Sequence, residues 1–60
     1  MNENIPNDPV LLLSFVNMKL RDFYADLDDL CKSLDLCRSD LEEKLAGIDY
    51  EYSRAVNQFV

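Results

Sequence analysis

The apolar positions of the chain fall into three helical stretches followed by an alternating tail. From Asp8-Pro9 to Tyr24, apolar side chains recur every three or four residues, which is the spacing of a buried helix face. Asp is a favoured N-cap, and Pro in the first turn loses no hydrogen bond. This pattern predicts helix 1 over residues 9–24, preceded by a flexible arm of residues 1–7. The predicted core face consists of Leu12, Leu13, Val16, Leu20, Phe23 and Tyr24.

Helix 1 has a second apolar stripe on a different face. Leu11, Phe15 and Met18 recur at positions i, i+4 and i+7, and Lys19 and Asp22 set them off from the core face. Neighbouring helices can cover only one of the two faces. We expect the second stripe to be covered by the aromatic C-terminal tail or by another protein molecule.

Two shorter helices follow. Asp26 is a second candidate N-cap and starts helix 2, predicted over residues 26–35. Helix 3 is predicted over residues 38–46, where Ser39 and Glu42 have the spacing of a capping box. Gly47 fits the left-handed residue that ends many helices. The predicted core faces are Leu27, Leu30, Cys31 and Leu34 in helix 2, and Leu41, Leu45 and Ile48 in helix 3.

Residues 50–60 fit two structures. Tyr50 and Tyr52 alternate with acidic residues as in a strand, whereas Tyr52, Val56 and Phe59 are also spaced for a helix. We predict a hairpin with strands at 50–52 and 58–60, because aromatic residues favour strands. A two-stranded ribbon is unstable alone, so it must lie on the helices. The predicted fold class is mainly α, a three-helix bundle with a short C-terminal β-hairpin, in one domain of residues 1–60.

Helices 2 and 3 have the apolar spacing of a helix-turn-helix motif. Cys31 takes the small position where the helices cross, and Leu36 is the apolar turn residue. Asp35 stands where Gly is usual. With the hairpin, this arrangement resembles a truncated winged helix-turn-helix over residues 9–60.

The charge of the chain argues against the usual task of that motif. Its 60 residues include 12 acidic and six basic side chains, for a formal charge of −6. The outward face of helix 3 carries Glu43, flanked by Asp40 and Glu42, whereas a DNA reader needs donors for bases and phosphates. These acidic residues also have an explanation without function, because the helix dipole favours negative charge in the first turns and charged runs are usually solvated surface. We therefore do not expect nucleic acid as a partner.

The sequence offers no catalytic, cofactor or metal site. Histidine, the usual acid-base group near neutral pH, is absent. Cys31 and Cys37 have a spacing that matches no zinc or redox motif, although Cys37 at a helix start has the setting of a lowered thiol pKa. The apolar run VLLLSFV is shorter than the roughly 20 residues that cross a bilayer. We expect a cytoplasmic protein with no enzyme activity, no small-molecule substrate and no membrane association.

One resemblance is more specific than the fold. The opening NIPNDPVLLLSFVNMKLRD, the segments LDDLC and DLEEKL, and IDYEY followed by NQF are similar to a family of very short bacterial proteins, domain of unknown function 4250. The resemblance covers Ile5 to Phe59 and implies a complete small bacterial protein without a particular activity. In that family the pair Ile48-Asp49 is more usually Ile-Gly.

These observations favour a protein–protein interaction or scaffold module without catalytic activity. The partner is another protein or a second copy of the chain in a homodimer. The alternative is a DNA-binding helix-turn-helix regulator. The candidate interface residues are Leu11, Phe15, Met18, Tyr50 and Tyr52.

Overall fold

A computed structural model describes residues 5–60, in which three α-helices precede a two-stranded antiparallel hairpin. The elements are α1 (Pro9–Asp22), α2 (Leu27–Leu34), α3 (Arg38–Ala46), β1 (Tyr52–Ser53) and β2 (Gln58–Phe59). The predicted mainly α fold class is confirmed, and the tail is a hairpin rather than a helix. Residues 1–4 of the predicted arm lie outside the described residues, whereas Ile5 packs against the core.

Helix α1 begins as the sequence predicts and ends two residues earlier. The Asp8 carboxylate accepts a hydrogen bond from the Leu11 amide at 3.2 Å. At the other end, the amides of Phe23 and Tyr24 both donate to the Lys19 carbonyl, at 2.8 and 3.1 Å. The chain therefore leaves the helical path after Asp22. The prediction that Phe23 is a core residue is wrong, since its side chain is 66% exposed.

A reciprocal pair of aspartates caps helix α2. Asp26 Oδ1 accepts from the Asp29 amide at 2.8 Å, and Asp29 Oδ2 accepts from the Ala25 amide at 3.2 Å. This arrangement satisfies two backbone donors that the helix start would otherwise leave free. The N-cap role predicted for Asp26 is confirmed.

Helix α3 starts without the predicted capping box. Its N-cap is Cys37, and no side chain accepts a hydrogen bond there. Because the helix begins at Arg38, Ser39 lies inside the first turn rather than in front of it. Glu42 instead accepts from Arg38 Nε at 3.2 Å.

Helix α2 ends at a left-handed aspartate. Asp35 has φ 58° and ψ 47°, and the next amide, that of Leu36, donates back to the Cys31 carbonyl at 2.8 Å. Aspartate adopts this conformation more readily than most residues with a side chain. The tight turn of the helix-turn-helix-like pair therefore forms with Asp in place of the usual Gly.

The end of helix α3 corrects the role predicted for Gly47. Gly47 is right-handed, with φ −61°, because the helical turn continues through Ile48, whose amide donates to the Leu45 carbonyl at 3.1 Å. The left-handed residue is Asp49, with φ 67°, and the Tyr50 amide after it donates to Leu45 at 3.0 Å. Asp49 thus stands where the family resemblance places Gly.

The core joins all three helices to the second strand. Phe59 of β2 is 2% exposed and belongs to the same cluster as the buried helix residues, so the hairpin completes the core. Burying one such side chain stabilises the fold by roughly 1.5–3 kcal/mol. The buried residues are Leu12, Val16, Leu20, Leu27, Leu30, Cys31, Leu41, Leu45 and Phe59.

Strand β2 is attached to helix α1 through Asn17. The hairpin pairs Tyr52 with Phe59, and Glu51 and Val60 exchange two backbone hydrogen bonds of 3.0 and 2.8 Å. The alternation of an antiparallel ladder therefore turns the amide and carbonyl of Phe59 outward. Asn17 Oδ1 accepts from that amide at 2.7 Å, and Asn17 Nδ2 donates to that carbonyl at 3.0 Å. The Asn17 side-chain amide thus forms the two hydrogen bonds that a neighbouring strand would otherwise form with Phe59.

The turn of the hairpin is attached to the last turn of helix α1. Asn57 Nδ2 donates to the carbonyls of Leu20 and Tyr24, each at 3.1 Å, and Asn57 Oδ1 accepts from the Tyr52 hydroxyl at 2.7 Å. Carbonyls at a helix end lack partners within the helix. The Asn57 side chain, which comes from the other end of the chain, is the hydrogen-bond donor for these carbonyls. The backbone of Asn57 is left-handed, with φ 55°, a conformation that Asn tolerates.

Replacing Asn17 with Ala is expected to lower the free energy of unfolding by about 1 to 2 kcal/mol. The change removes two hydrogen bonds and leaves the outward amide and carbonyl of Phe59 without partners. Urea denaturation followed by circular dichroism measures the difference. The control is Ser14→Ala on the exposed side of the same helix, expected to change stability by less than about 0.5 kcal/mol. Equal effects of the two substitutions would contradict the attachment role of Asn17.

Replacing Asp49 with Gly is expected to raise the free energy of unfolding by about 0.5 to 1 kcal/mol. Gly removes the cost of a left-handed side-chain residue, and its greater freedom in the unfolded chain offsets part of the gain. The matched control is Asp40→Gly inside helix α3, where Gly is expected to destabilise by a similar amount. Opposite shifts of the thermal midpoint are the expected result, and a loss of stability in both variants would refute it.

Candidate functional site

The predicted interface residues lie on two separate surfaces. Leu11, Phe15 and Met18 lie on helix α1, and we call them the α1 stripe. Tyr50 and Tyr52 line a depression of about 310 Å³ that includes no residue of α1. We call this depression the tyrosine groove; its lining residues are Glu42, Ala46, Tyr50, Glu51, Tyr52 and Phe59.

The hairpin does not cover the α1 stripe, contrary to one expectation from the sequence. Its hydrogen bonds run along the neighbouring face of α1, through Asn17 and the carbonyl of Leu20. Leu11 is 60% exposed and Met18 is 37% exposed, whereas Phe15 is half-buried and packs against the core. The stripe is therefore anchored to the core at its centre and open to solvent at both ends.

The apolar surface continues beyond the stripe to Phe23. The Lys19 ammonium lies 5.5 Å from the centre of the Phe15 ring and 4.8 Å from that of Phe23, which is largely exposed. Such contacts between a cation and an aromatic face hold the rings in place at an exposed site. Sequence reasoning missed Phe23 as a surface residue because it extended the helical period past the actual end of α1.

Helix α1 is the least acidic of the three helices. It carries Lys19 and Arg21 against Asp22 alone, and the other eleven of the 12 acidic residues lie outside it. Arg21 Nε donates to Asp22 Oδ1 at 3.0 Å, and this hydrogen bond lowers the pKa of the Asp22 carboxyl. Helix α1 thus carries two basic side chains and one acidic side chain.

The outward face of helix α3 carries unpaired carboxylates. Asp40 and Glu43 are exposed, and among the described residues neither has a basic side chain within ion-pair distance. Carboxylates accept hydrogen bonds and repel phosphate, whereas a helix in the major groove needs donors. The exposed charge of this helix face is negative, as the sequence predicts.

The Arg38 side chain binds two carboxylates of the same chain. Its Nη1 donates to Asp28 at 2.7 Å, its Nε donates to Glu42 at 3.2 Å, and its guanidinium carbon lies 5.7 Å from the Tyr52 ring centre. The hydrogen bonds to the two carboxylates raise the pKa of Arg38. This one side chain connects α2, α3 and β1, a role with no local signal in the sequence.

The two cysteines are free thiols in different surroundings. Cys31 is buried, and burial raises its pKa. Cys37 is exposed, and its Sγ lies 3.4 Å from Ser39 Oγ. The hydrogen bond between the Cys37 thiol and the Ser39 hydroxyl lowers the pKa of Cys37.

Across residues 5–60, no cluster of three or more His, Cys, Asp or Glu side chains is arranged to hold a metal ion. The helices in this range also fall short of the length and apolar character that crossing a membrane requires.

Comparison with models of protein families identifies the family of this chain. The model of a family described as Domain of unknown function (DUF4250) matches residues 6–59. Neither the curated proteins nor the solved structures include a match. The resemblance to a winged helix-turn-helix therefore gains no support from a related structure.

Cys37 is expected to react with iodoacetamide in the folded protein, whereas Cys31 is expected to stay unmodified. A lowered pKa means that the thiolate forms, and the reaction speeds up, at lower pH than for an ordinary thiol of pKa about 8.5. Replacing Ser39 with Ala removes the largest cause of the shift, so the reaction profile should move to higher pH. Mass spectrometry of samples quenched at a series of pH values measures how the rate of Cys37 alkylation depends on pH. The control, Ser33→Ala on helix α2, should leave the profile unchanged, and an equal displacement by both substitutions would contradict the assignment.

Proposed function

We propose that this chain, which belongs to the DUF4250 family, is a protein–protein interaction module that pairs with a second copy of itself through the α1 stripe. The observation that carries the proposal is the exposure of Leu11 and Met18 on the helix face turned away from the buried Val16. An apolar stripe at helical spacing is the surface that a partner helix covers.

The charge distribution supports a second copy as the occupant. Two molecules of formal charge −6 repel each other, so they meet most easily where acids are sparse. Helix α1 is such a place, since Lys19 and Arg21 outnumber Asp22 along it. The α1 stripe therefore combines an apolar contact with an approach that brings few acidic residues together.

An antiparallel arrangement of the two α1 helices suits the stripe best. With spacings of four and three residues, Leu11 of one copy faces Met18 of the other, and the two Phe15 rings meet at the two-fold axis. The acidic start of each helix at Asp8 then lies near the basic last turn of the other. A parallel arrangement would bring like charges and like ends of the helix dipoles together.

We further propose that the module has no catalytic activity. The positions of four aspartates support this proposal, because each has a structural role at a helix end or in the turn that follows a helix. Asp8 and Asp26 cap helices α1 and α2, while Asp35 and Asp49 adopt the left-handed conformations that end α2 and follow α3. DNA binding, the alternative, is disfavoured by the exposed carboxylates of Asp40 and Glu43.

Wild-type protein is expected to associate reversibly, towards twice the 7.0 kDa mass of one chain, as its concentration rises. We expect micromolar affinity, because three side chains bury less than the roughly 800 Å² per partner of a standard interface. Replacing Leu11 with Asp should abolish association while leaving the helical circular dichroism unchanged, since Leu11 is 60% exposed. Sedimentation equilibrium at several concentrations gives the mass.

The matched control is Val10→Asp. Val10 is 59% exposed on the same helix but about 100° around it from Leu11, so the variant should still associate. A wild type that stays monomeric, or a Val10→Asp variant that dissociates equally, would refute the proposed dimer. If that monomer also binds a labelled duplex with steep salt dependence, the DNA-binding alternative is correct.

A further inference from the structure

We infer that the tyrosine groove is a second docking surface, which takes a basic extended segment of a different protein and seats an Arg or Lys side chain on Tyr50 beside Glu51. This inference goes beyond the proposed homodimer, since the groove shares no residue with the α1 stripe. Three observations carry it: the aromatic wall, the unneutralised carboxylate and the free strand edge.

The aromatic wall of the groove is fixed by the core. The rings of Tyr52 and Phe59 lie with their centres 5.7 Å apart and their planes at 57°, and Phe59 is buried. Tyr50 is 37% exposed at the mouth of the groove, so its ring is accessible to a partner. A volume of about 310 Å³ is sufficient for one long side chain.

The carboxylates of the groove favour a positive occupant. Glu42 is already bound to Arg38, whereas Glu51 is exposed and, within residues 5–60, has no basic side chain at ion-pair distance. An aromatic face next to a free carboxylate attracts a guanidinium or ammonium group through both its ring and its charge. A neutral or acidic segment would gain neither interaction.

The protein already binds one of its own guanidinium groups in this manner. Arg38 lies over the Tyr52 ring, at 5.7 Å, while its Nε donates to Glu42 at 3.2 Å. The other tyrosine and the other carboxylate that line the groove, Tyr50 and Glu51, are both exposed. The internal contact thus indicates the chemistry of the external one.

The free edge of β1 favours an extended partner. Because Glu51 and Val60 form a hydrogen-bonded pair, the amide and carbonyl of Tyr52 point away from β2, as those of Phe59 do. Asn17 satisfies the Phe59 groups, but no described residue bonds the outward backbone groups of Tyr52. A segment in strand conformation can pair with them while its basic side chain enters the groove.

The test uses the whole chain, labelled with nitrogen-15, and the peptide acetyl-Gly-Arg-Gly-Arg-Gly-amide. Titration followed by NMR should give saturable shifts concentrated in the amides of residues 42, 46, 50–53 and 58–60. The same peptide with citrulline in place of arginine keeps the shape and loses the charge, and it should bind at least about 5-fold more weakly. Absence of saturable binding, or equal binding of both peptides, would overturn the inference.

Two variants with the same change of charge make the test specific. Glu51→Gln should weaken peptide binding by about 5-fold, whereas Glu43→Gln, on the exposed face of α3 outside the groove, should leave it within about 2-fold. Equal weakening would mean general attraction to an acidic surface and would overturn the inference. Tyr50→Leu keeps an apolar side chain but removes the ring, so it should also weaken binding. Leu11→Asp should bind the peptide like wild type, which separates this result from that of the proposed dimer.

Discussion

The structure depends on the attachment of a very short hairpin to helix α1. Strands of two residues each cannot hold together alone, so the hairpin exists because Phe59 enters the helical core and Asn17 bonds both outward backbone groups of Phe59. The core in turn needs Phe59, which is its largest fully buried side chain. A chain of 60 residues has little apolar area to bury, and this mutual dependence makes the fold one cooperative unit.

The same attachment determines which surfaces remain open. Helix α1 meets the other helices through Leu12, Val16 and Leu20, and it meets the hairpin through the adjacent Asn17. Because the hairpin occupies that adjacent face, it cannot also reach the α1 stripe, whose ends stay exposed. On its other side the hairpin leaves the edge of β1 uncovered next to α3, where the tyrosine groove forms. The exposure of the α1 stripe and of the tyrosine groove therefore both result from the position at which Asn17 attaches β2 to α1.

Local signals in the sequence were sufficient for the helices and insufficient for their connections. The caps at Asp8 and Asp26 involve neighbours within a few residues, so both are readable from the sequence. The ends of α1 and α3 depend on how the chain turns into the next element, and here the period and the glycine rule misplaced Phe23 and Gly47. The left-handed conformation of Asp49 was not predicted, although the family resemblance places Gly at this position.

The candidate site shows the same division. Helical spacing identified the α1 stripe, because that information lies within 14 residues of one helix. The tyrosine groove combines Glu42 of α3 with Glu51 and Tyr52 of the hairpin, and no spacing rule joins residues of different elements. The role of Asn17 was equally hidden, since its partner Phe59 lies 42 positions along the chain. Polar side chains that bond distant backbone are decided by tertiary structure.

The two proposed surfaces fit together electrostatically. A pair formed through α1 would join the two copies at a helix with few acidic residues, and it would use no residue of either tyrosine groove. The acidic side chains of the two copies would then stay in solvent, where salt at about 0.1 M largely screens repulsion between charges more than about 10 Å apart. Two identical acidic grooves on one dimer would bind a partner with two basic segments more tightly than either groove alone, because the second contact forms at high effective concentration. The proposed dimerisation and the proposed recognition of a basic segment would thus reinforce each other without sharing a residue.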